Sequence, residues 1–360
     1  MLILNRYIIR EVSLPMMAIC AVLIAIFASY TAAEYLADAV SGLLPLDFVI
    51  MLLLLKIAIA LEVLLPTTLY LSVVISLGRM YRDSEMVALE SCGVGTLKVC
   101  KSVFYFAIMV AFLVMILSLY VRPWSFGKVY WLQAQAQSDF DISQMEGGQF
   151  YEIKSARLVI FAENVNHREN RAEQVFVSSR DEQNHQIIFA QNVYQRLDPT
   201  GGDKLLLLQN GYMYEFEQNK EDGKITEFQN WILRLAPREV IPKKYRRKAA
   251  ATAHLMQSDN LEDIAELQWR LSTPVSTLLL ALLGVLLSRT TPRQGKYAKV
   301  MVAFLIFAVY YPMSVVTKNW VEKGTIDPLP GIWTVQVALA VLIFVLAWRQ
   351  NVIFWGRSTS

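Results

Sequence analysis

Cysteine and histidine are scarce, with three of each among 360 residues. Cys20 lies in an apolar run, and Cys92 and Cys100 stand eight apart with no C-x-x-C pair, so neither a disulfide framework nor a zinc knuckle is expected. Charge is also thin. Asp, Glu, Lys and Arg make up 18% of the chain, against roughly 25% in an average soluble domain. The net charge of +3 is too small for nucleic-acid binding through a bulk field. The phosphate-cradling pattern G-x-x-x-x-G-K-[ST] is missing, and Gly93 to Lys98 resembles it only superficially. No Ser/His/Asp set is apparent, since His167, His185 and His254 all fall in polar sequence. These shortages exclude a disordered chain, a fibrous chain and an ordinary soluble enzyme. No catalytic residue, metal, cofactor or nucleic-acid partner is expected.

Hydrophobic residues are plentiful, at 55%. A helix needs about 20 apolar residues to cross a bilayer. Residues 12–33, 48–77 and 103–121 qualify, and the first is too long for a cleaved signal peptide. Hydrophobicity then falls and returns at residues 271–287, 300–316 and 332–348. The pattern is three spans, a polar insert, then three spans. Placing the N-terminus in the cytosol puts Arg6, Arg10, Arg79, Arg82, Lys98, Lys101, Arg289, Arg293, Lys296 and Lys299 inside, and only Lys323 in the short outer loops. Both termini are then cytosolic and the insert is outside. The basic cluster Lys243, Lys244, Arg246, Arg247 and Lys248 runs against this, but long translocated segments are largely exempt from the charge rule.

Within residues 147–242 the period changes to two. Leu158, Ile160 and Ala162 alternate with Val159, Phe161 and Glu163, and Asn210-Gly211 reads as a hairpin turn before residues 212–216. Short strands in series predict an antiparallel sandwich or jelly roll, with nothing helical in the insert. Beyond the basic linker, Asp259 and Glu262 form a capping-box pattern. Leu261, Ile264, Leu267 and Leu271 share one helical face, and Glu262, Glu266 and Arg270 follow at steps of four on the other. This helix is expected to run into the fourth span. The expected fold is therefore membrane α-helical, with six transmembrane helices and an inserted all-β jelly-roll domain. Its parts are residues 1–122 with a cytosolic helix at about 82–93, residues 123–265, and residues 266–360.

Some charged and capping residues have two readings each. Ser84-Glu85 can start a short helix and Gly93 with Gly95 can stop it, with Met86 and Leu89 on an apolar side. That side either enters a groove on a motor subunit, with Glu85 at the rim, or rests on lipid. Lys56 and Glu62 are costly inside a span and should face a cavity or each other, or else snorkel. Arg122 before Pro123-Trp124, and Lys318 before Trp320, are either interfacial anchors or contacts to anionic head groups.

The order of several short motifs resembles the lipopolysaccharide-export permease family over nearly the whole chain. The motifs are Arg6-Tyr7-Ile8-Ile9-Arg10-Glu11, Leu65-Pro66, Tyr81-Arg82-Asp83-Ser84-Glu85, Cys92-Gly93, Pro123-Trp124, Gly148-Gln149-Phe150, Glu266-Leu267-Gln268-Trp269-Arg270, Pro292-Arg293-Gln294-Gly295 and Asp327-Pro328. The opening motif and Cys92-Gly93 look more like the F-type subunit than its G-type partner. The resemblance implies a non-catalytic permease that pairs with a G-type permease above a dimer of cytosolic ATP-binding subunits. It also implies a single-span jelly-roll partner and lipopolysaccharide as substrate. It makes Arg82, Glu85, Met86, Leu89, Gly93 and Arg293 candidates for ATPase coupling. Arg122, Lys318, Lys56 and Glu62 become candidates for substrate contact. The chain departs from the family in carrying Thr31 and Glu34 where basic residues can stand near the first span's outer end. A receptor with an outer sensing domain, or a lipoprotein-releasing permease with four spans, are the competing readings.

Overall fold

A computed structural model describes residues 2–40, 44–138, 147–153, 158–166, 171–180, 184–197, 204–217, 224–235, 245–289 and 298–350. The chain divides into two compact units, one of residues 1–30, 54–127 and 245–360, the other of residues 31–53 and 128–244.

The first unit is helical. Its elements come from α1 (Leu2–Val40), α2 (Leu46–Arg82), α3 (Glu85–Ser91), α4 (Thr96–Ile116), α5 (Arg122–Ser138), α6 (Thr252–Leu255), α7 (Leu261–Leu287), α8 (Ala298–Glu322) and α9 (Trp333–Arg349). Among the described residues five helices are long and apolar enough to cross a membrane, and α9 is shorter at 17 residues. The third apolar run does not end the helix at residue 121. One π-helical turn, Leu117–Val121, joins α4 to α5, and the helix continues to Ser138 before any strand begins. Asn260, rather than Asp259, caps α7, its side chain accepting from the Glu262 amide at 3.0 Å.

α7 packs on both sides. Ala281 and Val285 join Ile8, Val12, Leu69, Val73, Leu77, Met80, Val99, Val103 and Val110 in one buried cluster. Leu280, Leu283 and Leu287 join Tyr70, Val74, Ala303 and Leu339 in another. Gly284 lets α2 come close, since a Cβ there would stand 3.1 Å from Val73 Cγ1 and 3.2 Å from the Tyr70 carbonyl.

Helical prolines create further ties. A proline has no N–H for the carbonyl four residues back, so that oxygen is left open. Pro15 releases the Glu11 carbonyl, which accepts from Ser76 Oγ of α2 at 2.7 Å. Pro274 releases that of Arg270, which accepts from Ser118 Oγ at 3.1 Å. Pro123 has no N–H for Leu119, whose carbonyl accepts from Thr252 Oγ1 at 2.8 Å. In these three cases the open acceptor is met by a hydroxyl from another element, which matters where little water can reach the backbone.

The second unit holds six strands, β1 (Gln149–Ile153), β2 (Leu158–Asn166), β3 (Arg171–Arg180), β4 (Asn184–Leu197), β5 (Lys204–Glu217) and β6 (Lys224–Leu235). They form one antiparallel sheet in the order β1-β2-β3-β4-β5-β6. This is a meander, not the interleaved order of a jelly roll. A two-sided core arises in another way. The register skips one pair at each of four neighbouring ladders: Glu163 with Gln174, Gln174 with Gln191, Gln191 with Asn210, and Asn210 with Gln229. The five residues form a line across the sheet, all exposed, with Gln174 and Asn210 at φ +52°. The inward-facing parity changes across this crease. Ile160 and Ala162 are followed inward by Val165, and Ile188 and Ala190 by Val193. One face thus folds over to enclose Tyr151, Val175, Val177, Leu206, Leu208, Met213 and Phe228.

Asn210-Gly211 is therefore not a hairpin turn. It is the crease within a 14-residue strand. Gly211 is required there because a Cβ would collide with the Phe189 carbonyl and lie 2.7 Å from Phe228 Cζ. Gly211→Ala is expected to destabilise the β unit by about 3 kcal/mol or more, seen as rapid limited proteolysis of the strands in the full-length protein. Gly78→Ala in α2, with open space around it, should be neutral or stabilising by up to about 1 kcal/mol.

Candidate functional site

Two places in the helical unit gather the chemistry-bearing residues. The first is a buried ionic cluster. Glu62 of α2 is 1% exposed and Glu266 of α7 is 0% exposed. Glu62 Oε2 accepts from Arg122 Nη1 at 2.6 Å, and Glu62 Oε1 from Ser118 Oγ at 2.8 Å. Glu266 Oε1 accepts from Arg122 Nε at 3.2 Å and from Arg270 Nε at 3.3 Å, and its Oε2 pairs with Lys318 Nζ. Trp269 lies beside both outer cations, with Arg122 Cζ 5.9 Å and Lys318 Nζ 5.2 Å from its ring centroid. Three cations and two carboxylates from α2, α5, α7 and α8 thus share one water-poor site.

Arg270 also fixes the chain that returns from the insert. Its Nη1 donates to the Ala250 carbonyl and to Thr252 Oγ1, both at 3.0 Å, and its Nη2 to the carbonyls of Arg247 and Lys248 at 3.3 Å. Arg247 bridges Glu322 at 3.1 Å and pairs with Glu262. The described part of the basic linker is therefore bound to the bundle, while Lys243 and Lys244 lie outside the described residues. The other members of the Glu266–Arg270 motif have work of the same kind. Gln268 donates to the Pro328 carbonyl at 2.6 Å and accepts from the Ile332 amide at 3.3 Å, holding the connection into α9.

Several sequence expectations change here. Arg122 and Lys318 come together, but they are buried at 8% and 7% exposure with their charges on Glu62 and Glu266, not free at a rim. Glu62 faces Arg122 rather than Lys56, which is half-buried and stands apart from the cluster. Glu266 and Arg270 do pair at i,i+4, yet on a buried face instead of a solvated one. Sequence reasoning missed their importance. The available signal was charge placed at the mouth of an apolar run, where exposure is least affordable.

The second place is α3. α2 carries on to Arg82, which is exposed and pairs with Asp83 at 3.1 Å. Ser84 at φ 62° turns the chain, and α3 spans Glu85–Ser91. Gly93 at φ +76° ends it, its carbonyl accepting from Lys98 Nζ at 3.0 Å. Met86 is 1% exposed inside the same core as Ile8, and Leu89 packs partly against it. The apolar side of α3 is therefore spent on its own bundle rather than offered to a groove. Val87, Ala88, Ser91 and Cys92 form the exposed side. Glu85 Oε2 accepts from the Tyr7 hydroxyl of α1 at 2.7 Å. Arg293 lies outside the described residues.

Long apolar helices around paired charges, interrupted by a β unit, define a multi-pass membrane protein with an inserted sheet domain. Sequence comparison makes this specific. The family described as lipopolysaccharide export system permease LptF/LptG matches residues 6–349, and the chain belongs to that family. It is a transporter permease subunit, not an enzyme. Proteins named lipopolysaccharide export system permease protein LptF, from Escherichia coli K12 and from Shigella flexneri, are each 25% identical over 350 residues, covering 96% of this chain and 94% of the relative.

Because the ionic cluster is buried and mutually satisfied, removing one charge leaves the others stranded. Glu266→Gln is expected to cost about 3–5 kcal/mol, read as a large drop in thermal stability of the detergent-solubilised protein. Asp83→Asn, at an ion pair with both side chains 44% exposed, should change stability by less than about 1 kcal/mol.

Proposed function

We propose that the chain is the F-type permease subunit of an ATP-driven machine that extracts lipopolysaccharide from the inner membrane. In this reading six helices span the membrane, with α9 as the sixth, both termini are cytosolic, and the β unit is periplasmic. The family match carries the reading. The Lys/Arg pattern supports the orientation, since Arg79, Arg82, Lys98 and Lys101 flank α3. The partners are a G-type permease, a dimer of cytosolic ATP-binding subunits, and a single-span protein with its own jelly roll. Hydrolysis occurs on the ATP-binding subunits, and this chain needs no cofactor.

The geometry supports a division of labour. Exposed apolar side chains on α1 and α8, among them Met17, Val22, Ile26, Phe304, Leu305 and Val309, provide greasy walls. Each acyl CH₂ buried against them gains about 0.8 kcal/mol. Arg122, Lys318, Glu62 and Glu266 act as scaffold, their charges satisfied within the chain. Lys56, half-buried and outside the cluster among the described residues, is a cation available to an anionic head group. α3 is the contact to the motor. Glu85 and Arg82 supply charge, Val87, Ala88 and Gly93 supply a small close-fitting face, and Met86 and Leu89 anchor the helix from behind. Arg293, in the motif at residues 292–295, is a second cytosolic candidate for coupling on its sequence alone.

Reversing the charge at Glu85 tests the coupling. Glu85→Lys should sharply reduce the ATP-binding subunit that co-purifies with the permease pair, and with it lipopolysaccharide export. Unchanged co-purification and export would remove α3 from its coupling role.

A further inference from the structure

The opening motif Arg6-Tyr7-Ile8-Ile9-Arg10-Glu11 sits on the first turns of α1 and has no assigned task. In the structure this stretch and its immediate neighbours are tied to other helices. Ser102 Oγ of α4 donates to Asn5 Oδ1 at 2.7 Å. Ile8 and Val12 are buried in the core that also contains Met80 and Met86. The Glu11 carboxylate pairs with Arg79, and its carbonyl accepts from Ser76 Oγ at 2.7 Å. Ser72 Oγ donates to the Val12 carbonyl. α1 is thereby held to α2 and α4. Its contact to α3 has two parts, the packing of Ile8 and Met86 in one core and the Tyr7 hydroxyl on Glu85.

We propose that Tyr7 is a positioning residue for Glu85 and carries displacement of α3 into α1. The inference rests on the coupling role of Glu85 given above. The chemistry of the pair fits it. A phenol donates one hydrogen bond without bringing a charge. Glu85 therefore keeps its full negative charge for a cationic partner, whereas a lysine at position 7 would neutralise it. Tyr7 occupies Oε2, and among the described residues Oε1 has no bonded partner. One carboxylate oxygen is thus pinned to α1 and the other is presented. A tyrosine side chain has only two χ angles, so holding it in place costs little conformational entropy. A push on α3 then reaches α1 through a short hydrogen bond and one packed core, without passing through the length of α2.

The test uses the full complex in proteoliposomes, with ATP hydrolysis and lipopolysaccharide release measured together. Four forms are compared: wild type, Tyr7→Phe, Glu85→Ala and the double variant. Tyr7→Phe is expected to lower lipopolysaccharide released per ATP by roughly three- to tenfold, the scale of one typical hydrogen bond. The double variant should match Glu85→Ala alone, because alanine offers the Tyr7 hydroxyl no acceptor and both changes break the same link. A Tyr7→Phe protein with wild-type release per ATP overturns the inference, as do effects that multiply in the double variant. A parallel fall in hydrolysis and release, at an unchanged ratio, also overturns it by marking Tyr7 as merely structural. If Glu85→Ala is silent, the coupling reading fails and this inference falls with it. If Glu85→Ala is impaired while Tyr7→Phe is not, only the inference fails.

Discussion

Glu266 receives Arg122 from α5, Arg270 from its own helix and Lys318 from α8, and through Arg122 it is tied to Glu62 on α2. Each of these groups has given up water, and an ion without water is tolerated only where its partners are in reach. The cluster therefore works as a condition on the fold. Four helices have to arrive at the right height and rotation together, or several charges are left bare in an apolar bundle. Hydrogen bonds in such a medium are strengthened when complete and expensive when not. This constraint fixes α2, α5, α7 and α8 relative to one another. Through Arg270 and Thr252 it also fixes the segment by which the chain comes back from its insert.

Proline and hydroxyl residues extend the same logic to the backbone. Each of Pro15, Pro123 and Pro274 opens one acceptor, and Ser76, Thr252 and Ser118 close it from another element. Ser118 and Thr252 belong to the ionic cluster as well, since Ser118 also donates to Glu62 and Thr252 accepts from Arg270. Breaks in helical hydrogen bonding thus become cross-links between helices, at the very residues that satisfy the buried charges.

The apolar runs made the helices and their order legible in the sequence, because 20 residues of hydrocarbon have few other uses. Strand alternation in the insert was legible too. Its shape was not, because strands β2 to β5 change inward parity at the crease, and a skipped beat such as Ile160, Ala162, Val165 resembles noise in a period of two. Asn210-Gly211 misled for a related reason, since left-handed backbone serves creases as well as turns. Among site residues, Arg122, Lys318 and Glu62 stood out as charges in apolar sequence, but their mutual pairing spans 256 positions of chain from 62 to 318 and leaves no local trace. Glu266 and Arg270 were hidden by their spacing, which is the same for a solvated helix face as for a buried one. The inward turn of Met86 depends on Ile8, far away in sequence, and could not be read from α3 alone.

The picture that emerges is a rigid hub, with α3 as the helix proposed to face the motor. On the proposed function, such a permease is expected to move as a body against its partners rather than to flex within itself. Spin labels on exposed positions of α2 and α8, such as Leu54 and Val309, measure this directly in the assembled complex. The account predicts that the distance between them is the same with and without ATP while lipopolysaccharide is released. A distance distribution that shifts with the nucleotide cycle would contradict it.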